Sequence, residues 1–489
     1  MSFNPNLYEI NTRVWIKQFG KDTKLHSVPS SVWQELADKG MDFVWLMGIW
    51  KTNESVIDKY CFEEGLIEDY SRALSDWKRD DVIGSPYSID RYEPNPILID
   101  PGNLQKLRDM LHSFGLKLIL DFVPNHFSAD SSLIKTHPNI FLETDFDTFK
   151  EDSHTFFVSS QNPNKVFAHG RDPFFPAWQD TIQVNYFNPA AREFMTKIIL
   201  DLVNVCDGIR CDMAMLNLNN IFENTWGGVL SKTGFKKPEK EFWKIAIRKA
   251  KEKRKDFLFI AEAYWDLGWD LQQLGFDYTY DKRLTERLLT GYVSEIKSHL
   301  RAEEDYQKKL VRFLENHDEE RALAAFGQNK SKTAAIVTST LLGMHFFYDG
   351  QFEGKKIKLP VQLGRAPIEK VNASIKKFYD TLLSITNNKV FKKGKWTFLE
   401  ALPAWDDDFT YENILIWMWQ DENEKRLIVI NYTDSTSQTR IKFNVNEYSD
   451  KIEFNDLLHN KKYLRSKEEI ITIGLFIELK SYESHIFAF

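Results

Sequence analysis

The chain of 489 residues is longer than one ordinary domain, and its 43% hydrophobic and 28% charged residues are typical of a globular protein. The formal net charge of -7 argues against a nucleic-acid partner and against an anionic membrane surface. No apolar run is long enough to span a bilayer, and the N-terminal residues lack the pattern of a secretory signal. The three cysteines have no metal-site spacing, so we expect reduced thiols and a cytoplasmic location.

Short apolar runs rich in β-forming residues alternate with helical patterns along the first 390 residues. The strand candidates, in chain order, are LYEINTRVW, DFVWLMGIW, LKLILDFV, GIRCDMA, FLFIAEAY, FDYTY, LVRFLENHD and MHFFYDG. A helix candidate follows each of them, for example PSSVWQELADKG after the first and NASIKKFYDTLLSITNN after the last. Strand–helix alternation predicts a parallel sheet, and eight units predict a closed (β/α)8 TIM barrel with its active site at the carboxyl ends of the strands.

Two regions interrupt this alternation. Residues 127–187 are rich in Phe, Pro, Asp and Asn and are far longer than a usual βα loop, which predicts a small domain inserted after the third strand. Beyond residue 390, the runs ENILIWMWQ, KRLIVINYT, TRIKFNV and EEIITIGLFIELKSYESHIFAF predict an antiparallel β-sandwich over 391–489. The barrel is then expected over 1–126 and 188–390.

Ionisable residues stand at the ends of four predicted barrel strands. They are Asp121 on the third strand, Arg210 and Asp212 on the fourth, Glu262 on the fifth, and His317 and Asp318 on the seventh. A barrel gathers these ends at one rim. Arg210 and Asp212 taken alone favour a structural ion pair, because most such pairs are ordinary salt bridges. Several carboxylates at one rim repel one another, however, and such clusters more often indicate catalysis.

The residue types favour cleavage of a glycosidic bond. That reaction uses one carboxyl group to protonate the leaving oxygen and another to attack the anomeric carbon. The attacking group must stay ionised, which Arg210 beside Asp212 would enforce. The acid needs a raised pKa, and Glu262 follows the apolar run FLFIA and has carboxylate neighbours.

Four motifs occur in order on the predicted strand ends: DFVPNH at 121–126, GIRCDMAML at 208–216, EAYW beginning at Glu262, and FLENHD at 313–318. With them the chain resembles the α-amylase superfamily, glycoside hydrolase family thirteen, over almost its whole length. The resemblance implies that Asp212 is the nucleophile, Glu262 the acid/base and Asp318 the stabiliser of the transition state. A domain inserted after the third strand and a sandwich after the barrel also match the family's layout.

The resemblance also implies which residues hold the sugar in the cleavage subsite. These substrate-binding residues are Asp121, His126, Arg210 and His317. The segment GSPYSIDRY is similar to the family segment whose tyrosine stacks on that sugar. It nominates Tyr87, with Tyr92 as a near competitor.

The chain departs from the family around its usual calcium site. Met215 and Leu216 stand where the family commonly has a Lys-His pair, and Gln183 aligns with a calcium-binding Asp. Asn125 remains, but calcium needs six to eight oxygen ligands including several carboxylates. We therefore expect no metal and no cofactor.

Because Met215 and Leu216 replace the Lys-His pair, the resemblance does not indicate which residues contact the leaving-group sugar. The segment NLNNIFENTWGGVLSKTGFKKP is expected to be a long loop that rebuilds this side. Trp226 and Trp265 are candidate sugar platforms, with ordinary packing as the alternative for both.

The leading hypothesis is a retaining α-glycoside hydrolase that acts on α-glucans or α-gluco-oligosaccharides by double displacement. A transglycosylase or isomerase would use the same carboxylates, and the sequence does not separate it from a hydrolase. A non-catalytic binding or partner subunit is disfavoured because the three carboxylates implied to be catalytic are present. A metal-dependent barrel enzyme lacks a convincing set of His and carboxylate ligands.

Overall fold

The computed structural model describes residues 4–489, and within that range eight parallel strands close into a barrel. These strands are β1 Asn6–Asn11, β2 Phe43–Met47, β3 Lys117–Phe122, β4 Gly208–Cys211, β5 Leu258–Ala261, β6 Tyr278–Tyr280, β7 Leu310–Arg312 and β8 Met344–Tyr348. Their order around the ring follows the chain, and β1 pairs with both β2 and β8. The predicted (β/α)8 barrel is confirmed.

Helices cover the outside of the barrel. The longer ones are Ser30–Asp38, Glu64–Ala73, Leu104–Ser113, Pro189–Val205, Asn219–Thr233, Phe242–Lys253, Lys282–Thr290, Val293–Leu300, Gln328–Thr340 and Ala373–Thr386. Shorter ones are Thr12–Trp15, Ile57–Tyr60, Gly268–Gln273, Glu304–Gln307, Ala322–Phe326 and Lys389–Lys393. Across the described residues, none of the helices has both the length and the apolar character needed to cross a membrane.

The prediction of a long loop after β4 is wrong. That segment contains the helix Asn219–Thr233, which buries Phe222, Trp226 and Leu230. The spacing of four residues between these side chains places them on one helical face. Burial also removes Trp226 from the candidate sugar platforms, because its ring packs in the core against Phe156.

The chain between β3 and the helix Pro189–Val205 forms the inserted domain. A two-stranded antiparallel pair joins His126–Ser128 to Thr181–Gln183. The remaining elements are the strands Glu143–Thr144, Phe156–Val158 and Val166–Ala168 and the helices Leu133–Thr136 and Phe146–Glu151. The insertion is confirmed, whereas the domain limits at 127 and 187 stay a prediction.

The C-terminal part is antiparallel, as predicted. Its strands are β9 Lys395–Phe398, β10 Ile414–Gln420, β11 Lys425–Asn431, β12 Ser437–Ile441, β13 Lys451–Asp456, β14 Lys461–Ser466, β15 Leu475–Leu479 and β16 Ser484–Ala488. Among the described residues, one sheet has the order β9-β10-β11-β16-β13-β14, and β12 pairs with β15. One part of the expected strand pattern is wrong: Lys467–Thr472 is a helix, and the side chain of Ser466 caps it.

Gly208 lets the barrel close tightly beneath Arg210. Residues two apart on a strand face the same side, so a side chain at Gly208 would point the same way as Arg210. A Cβ atom there would lie 2.6 Å from Leu258 Cβ, 2.7 Å from the Leu258 carbonyl oxygen and 2.9 Å from Ile119 Cδ1. The barrel interior therefore has no room for a methyl group at this position.

We expect Gly208→Ala to lower the free energy of unfolding by about 1–3 kcal/mol, because overpacking a closed core forces its neighbours apart. Urea denaturation measures this change. Gly227→Ala is the control: it lies in the helix Asn219–Thr233 and its Cβ would meet nothing within 4 Å. The control should be neutral or slightly stabilising. Equal stability of Gly208→Ala and the wild type would contradict this account of the barrel interior.

Candidate active site

The register of the barrel brings the predicted site residues to one level. Arg210 on β4 lies opposite Asp121 on β3. Asp212 and Glu262 each follow the last residue of their strand, and their N–H groups continue the ladder. Asp212 N donates to the Phe122 carbonyl at 2.9 Å and Glu262 N to the Cys211 carbonyl at 3.0 Å. Both carboxylates therefore stand at the carboxyl end of the barrel.

The guanidinium of Arg210 connects three carboxylates. Its Nη1 donates to Asp212 Oδ1 at 2.6 Å, and its Nη2 lies 2.7 Å from Glu262 Oε2. Nη1 also lies 3.8 Å from Asp121 Oδ1. Arg210 is fully buried, and although burial lowers its pKa, Glu262 and the other neighbouring acidic groups raise that pKa well above its usual value. The site thus contains a permanent buried cation.

Aromatic rings surround this cation. The Arg210 guanidinium lies 5.0 Å from the ring centre of Trp45, 5.4 Å from that of Tyr87 and 5.8 Å from that of Tyr280. The negative face of an aromatic ring attracts a cation, most strongly away from water. These rings hold the guanidinium in place and exclude solvent from it.

Glu262 has the environment of a general acid. Met213 N–H donates to its Oε2 at 2.7 Å, and the Tyr264 hydroxyl donates to its Oε1 at 2.9 Å. Burial raises the pKa of Glu262 to about 7, with the charges of Asp212 and Asp318 adding to the increase and Arg210 opposing it. A carboxyl group with this pKa is partly protonated at neutral pH.

The pKa values of Asp212 and Asp318 are shifted in opposite directions. Burial raises the pKa of Asp212, and Arg210 opposes this increase through its charge and its hydrogen bond. For Asp318, partial desolvation acts in the same direction, but the charge and hydrogen bond of His317 outweigh it and lower the pKa to about 2. The Asp318 side chain is 48% exposed and faces the open side of the site.

His317 is held between two carboxylates. Its Nδ1 lies 2.6 Å from Glu9 Oε1, and its Nε2 lies 2.9 Å from Asp318 Oδ2. Burial lowers the pKa of His317, but Asp318 and Glu9 together raise it well above the usual value. His317 is therefore doubly protonated and donates on both sides.

The structure places Tyr87, rather than Tyr92, at the cluster. The Tyr87 hydroxyl lies 2.7 Å from His317 Nε2, and its ring stacks on the imidazole at 5.4 Å. The Tyr92 hydroxyl instead donates to the Val123 carbonyl at 2.9 Å, and its ring packs on Phe122. Tyr92 supports the wall behind the site.

Asp121 and His126 complete the predicted set. Asp121 accepts hydrogen bonds from Trp45 Nε1 at 3.1 Å and Gly48 N at 3.0 Å, and burial raises its pKa to about 7. The ring of His126 lies 5.4 Å from that of Trp178, and burial lowers its pKa to about 3. His126 is therefore neutral near pH 7.

Four residues of the cluster were not predicted: Glu9, Trp45, Tyr264 and Tyr280. Glu9 is a fully buried acid in β1, and an acid inside an apolar barrel strand is a signal that could have been noticed. Nothing in the sequence distinguishes Trp45 or Tyr264 from ordinary packing residues.

A cavity of about 330 Å³ opens beside Glu262. Met213, Tyr264, Trp265 and Phe175 line it. Met213 and Trp265 have φ values of 40° and 57°, in the left-handed region that non-glycine residues seldom occupy. Trp265 lies on the cavity wall, whereas Met215 and Leu216 are buried.

The residues at the family's usual calcium position do not fit that ion. Gln183 is fully buried, and its Nε2 donates to the Asn125 backbone oxygen at 2.9 Å, to Asn125 Oδ1 at 3.0 Å and to the Val184 carbonyl at 3.0 Å. An amide N–H group thus occupies the space among oxygen atoms where a cation would lie. The Gln183 side chain directly connects the inserted domain to the end of β3.

We expect added calcium to leave the melting temperature of the chelator-treated protein unchanged, because Gln183 already satisfies these oxygen atoms. Thermal melting under the two conditions measures this. Gln183→Ala is the matched variant: it should lower the melting temperature by removing hydrogen bonds to buried oxygens. A large drop with chelator that calcium reverses would show that another set of ligands exists.

The sequence of the chain is similar to a known family of catalytic domains and to proteins of established activity. Residues 87–397, more than half of the chain, match the alpha amylase catalytic domain. The alpha-amylase MalA of Haloarcula japonica is 23% identical over 261 residues, 52% of this chain and 34% of that protein. A cyclomaltodextrin glucanotransferase of Geobacillus stearothermophilus is 27% identical over 135 residues, 26% of this chain and 18% of that protein. The chain therefore spans about a third or less of the length of these relatives.

The solved structure of a noncanonic maltogenic alpha-amylase, AmyB from Thermotoga neapolitana, has the same fold. It superposes with a TM-score of 0.70 at 21% identity, covering 100% of this chain and 99% of that chain. The match to the catalytic domain and the barrel with its inserted and C-terminal domains lead to one conclusion. The chain belongs to the alpha-amylase family.

Proposed function

We propose that the protein is a retaining glycosidase that acts on α-glucans or α-gluco-oligosaccharides, with Asp212 as nucleophile and Glu262 as acid/base. The observation that carries this proposal is the single guanidinium of Arg210 held between these two carboxylates. It supports a short separation between the carboxyl groups, as retaining enzymes require. Membership of the alpha-amylase family supports the substrate class.

In the first step, a carboxylate oxygen of Asp212 attacks the anomeric carbon as the glycosidic C–O bond breaks. Glu262 gives its proton to the departing oxygen, so that the leaving group departs neutral. In the second step, ionised Glu262 takes a proton from water, the resulting oxygen attacks the anomeric carbon, and the bond to Asp212 breaks. Glu262 is protonated again at the end of the cycle.

The other residues of the cluster bind the sugar and stabilise the transition state. Asp318, ionised by His317, accepts hydrogen bonds from sugar hydroxyls on the exposed side of the site. His126 donates to the same ring, whereas His317 acts through Asp318, because its two N–H groups point to Glu9 and Asp318. Tyr87 offers the sugar the ring face that does not stack on His317. Asp121 acts mainly on Arg210, because its own hydrogen bonds go to Trp45 and Gly48.

Transfer to a sugar hydroxyl is the second candidate, and the cavity beside Glu262 favours it. Trp265 and Phe175 give that cavity an aromatic wall where an acceptor sugar can stack. Water and sugar acceptors use the same two steps. A purely binding role is disfavoured, since the carboxylates and their pKa-shifting neighbours are all in place. Location in the cytoplasm, inferred from the sparse cysteines, stays a prediction.

We expect the first-formed product to be the α-anomer, because two displacements at the anomeric carbon restore its configuration. Proton NMR of fresh product from an α-linked maltooligosaccharide, recorded before mutarotation, measures this. Asp212→Asn and Glu262→Gln are the controls, and each should lose several orders of magnitude in turnover while keeping the melting temperature of the wild type. An initial β-anomer would exclude Asp212 as nucleophile.

We expect Glu9→Gln to make activity more sensitive to alkaline pH. In the wild type, kcat/KM should fall as pH rises through about 7, where Glu262 loses its proton. Glutamine can still accept the bond from His317 Nδ1, but it lacks the charge that raises the pKa of His317. His317 would then lose its proton as pH rises, and Asp318 would lose its cationic partner.

The measurement is the ratio of mutant to wild-type kcat/KM at pH 5.5 and at pH 8. We expect near-normal activity at the lower pH and a loss of about tenfold or more at the higher pH, as one lost charged contact predicts. The same ratio at both pH values would show that Glu9 is only a packing residue.

A further inference from the structure

A second cluster of ionisable side chains lies in the C-terminal domain, outside the catalytic barrel. Asp456 ends β13, His459 lies in the turn that follows, and His485 is on the neighbouring strand β16. One ligand atom from each residue lies within 4.8 Å of the others. Asp456 Oδ2 accepts from His459 Nδ1 at 2.6 Å and from His485 Nδ1 at 2.7 Å. Both imidazoles thus point the same nitrogen at one carboxylate oxygen.

The backbone and the neighbouring rings hold two of these residues firmly. Asp456 pairs with Phe487 across the sheet, and its Oδ1 accepts the Leu458 N–H at 3.1 Å. The His485 ring stacks on that of Phe487 at 4.8 Å. His459 is in a turn and its side chain is 38% exposed. The cluster therefore combines two fixed groups with one that can adjust and that reaches solvent.

The charge of Asp456 lacks a permanent counter-ion. Its side chain is fully buried, and in the part of the chain described its ion-pair contacts are to His459 and His485. No Lys or Arg among residues 4–489 lies within ion-pair distance of it. A buried carboxylate is costly unless a cation or hydrogen-bond donors compensate it. Two imidazoles supply full compensation only when one of them is protonated.

We propose that Asp456, His459 and His485 bind one divalent transition-metal ion of the zinc type, with water as the fourth ligand. Two nitrogen ligands and one oxygen suit zinc, whereas calcium requires oxygen ligands. Tetrahedral zinc bonds of about 2.0–2.1 Å would place the ligand atoms roughly 3.3 Å apart. The two present contacts, of 2.6 and 2.7 Å, must each open by about 0.6 Å. Movement of the turn that carries His459 opens the first, and a small rotation of the Asp456 carboxylate opens the second.

Binding is coupled to protons and to stability. Each Nδ1 must present a lone pair to the ion. In a neutral imidazole the proton therefore moves to Nε2, and a doubly protonated imidazole releases its Nδ1 proton to solvent. The metal would join β13, β16 and the turn between β13 and β14. Because only the folded chain brings these groups together, the ion stabilises the fold by mass action.

The test uses the full-length protein, freed of metal with a chelator and then dialysed. Zinc chloride is titrated by calorimetry, and thermal melting is recorded with and without zinc. We expect one zinc ion per chain and a rise in melting temperature. His459→Ala should weaken binding at this site by at least about tenfold and abolish the rise. Calcium chloride should produce neither effect.

His112→Ala is the matched control. His112 also pairs with a carboxylate, Asp207, at 2.8 Å, and its side chain is 39% exposed against 38% for His459, but the other partner of Asp207 is Arg108 rather than a second histidine. This variant should bind zinc as the wild type does. The proposal is overturned if the wild type binds no zinc, or if His459→Ala and His112→Ala bind it equally. Because His485 and the Leu458 N–H still donate to Asp456 when His459 is removed, the metal-free variant should stay folded.

Discussion

The buried charge of Arg210 is the constraint on which the rest of the site depends. Asp121, Asp212 and Glu262 could not share one apolar enclosure without a cation, because like charges repel and desolvation disfavours each of them. Arg210 contacts all three. The barrel accommodates its large side chain by placing Gly208 below it and aromatic rings around it. The closed sheet, its register and its inner packing are therefore arranged about one guanidinium.

Much of the architecture could be predicted because it follows from hydrophobic periodicity over long segments. Strand–helix alternation predicts the barrel without knowledge of any contact. The failures occurred where periodicity is weak. The paired glycines Gly227 and Gly228 concealed the helix Asn219–Thr233, and the apolar run in Lys467–Thr472 resembled a strand although it folds as a helix. In these two segments local composition did not predict the secondary structure, because packing against neighbouring elements determines whether such a segment becomes helical.

The site residues on strand ends were predictable for a different reason. A parallel barrel brings those ends together whatever the side chains are, so Asp212 and Glu262 had to meet. Glu9 and Tyr264 were not predictable, because their contacts depend on how distant segments align. The choice between Tyr87 and Tyr92 was also beyond the sequence, since only packing shows which hydroxyl reaches His317.

The contact between Glu9 and His317 joins residues separated by 308 positions in the chain. During synthesis Glu9 emerges early, and its partner appears only after β7 has been made. Until then a carboxylate on an apolar strand stays in water, which disfavours packing of β1 into a premature core. The same charge that tunes the finished site therefore finds its buried partner only shortly before β8, the strand that closes the barrel against β1, has been made.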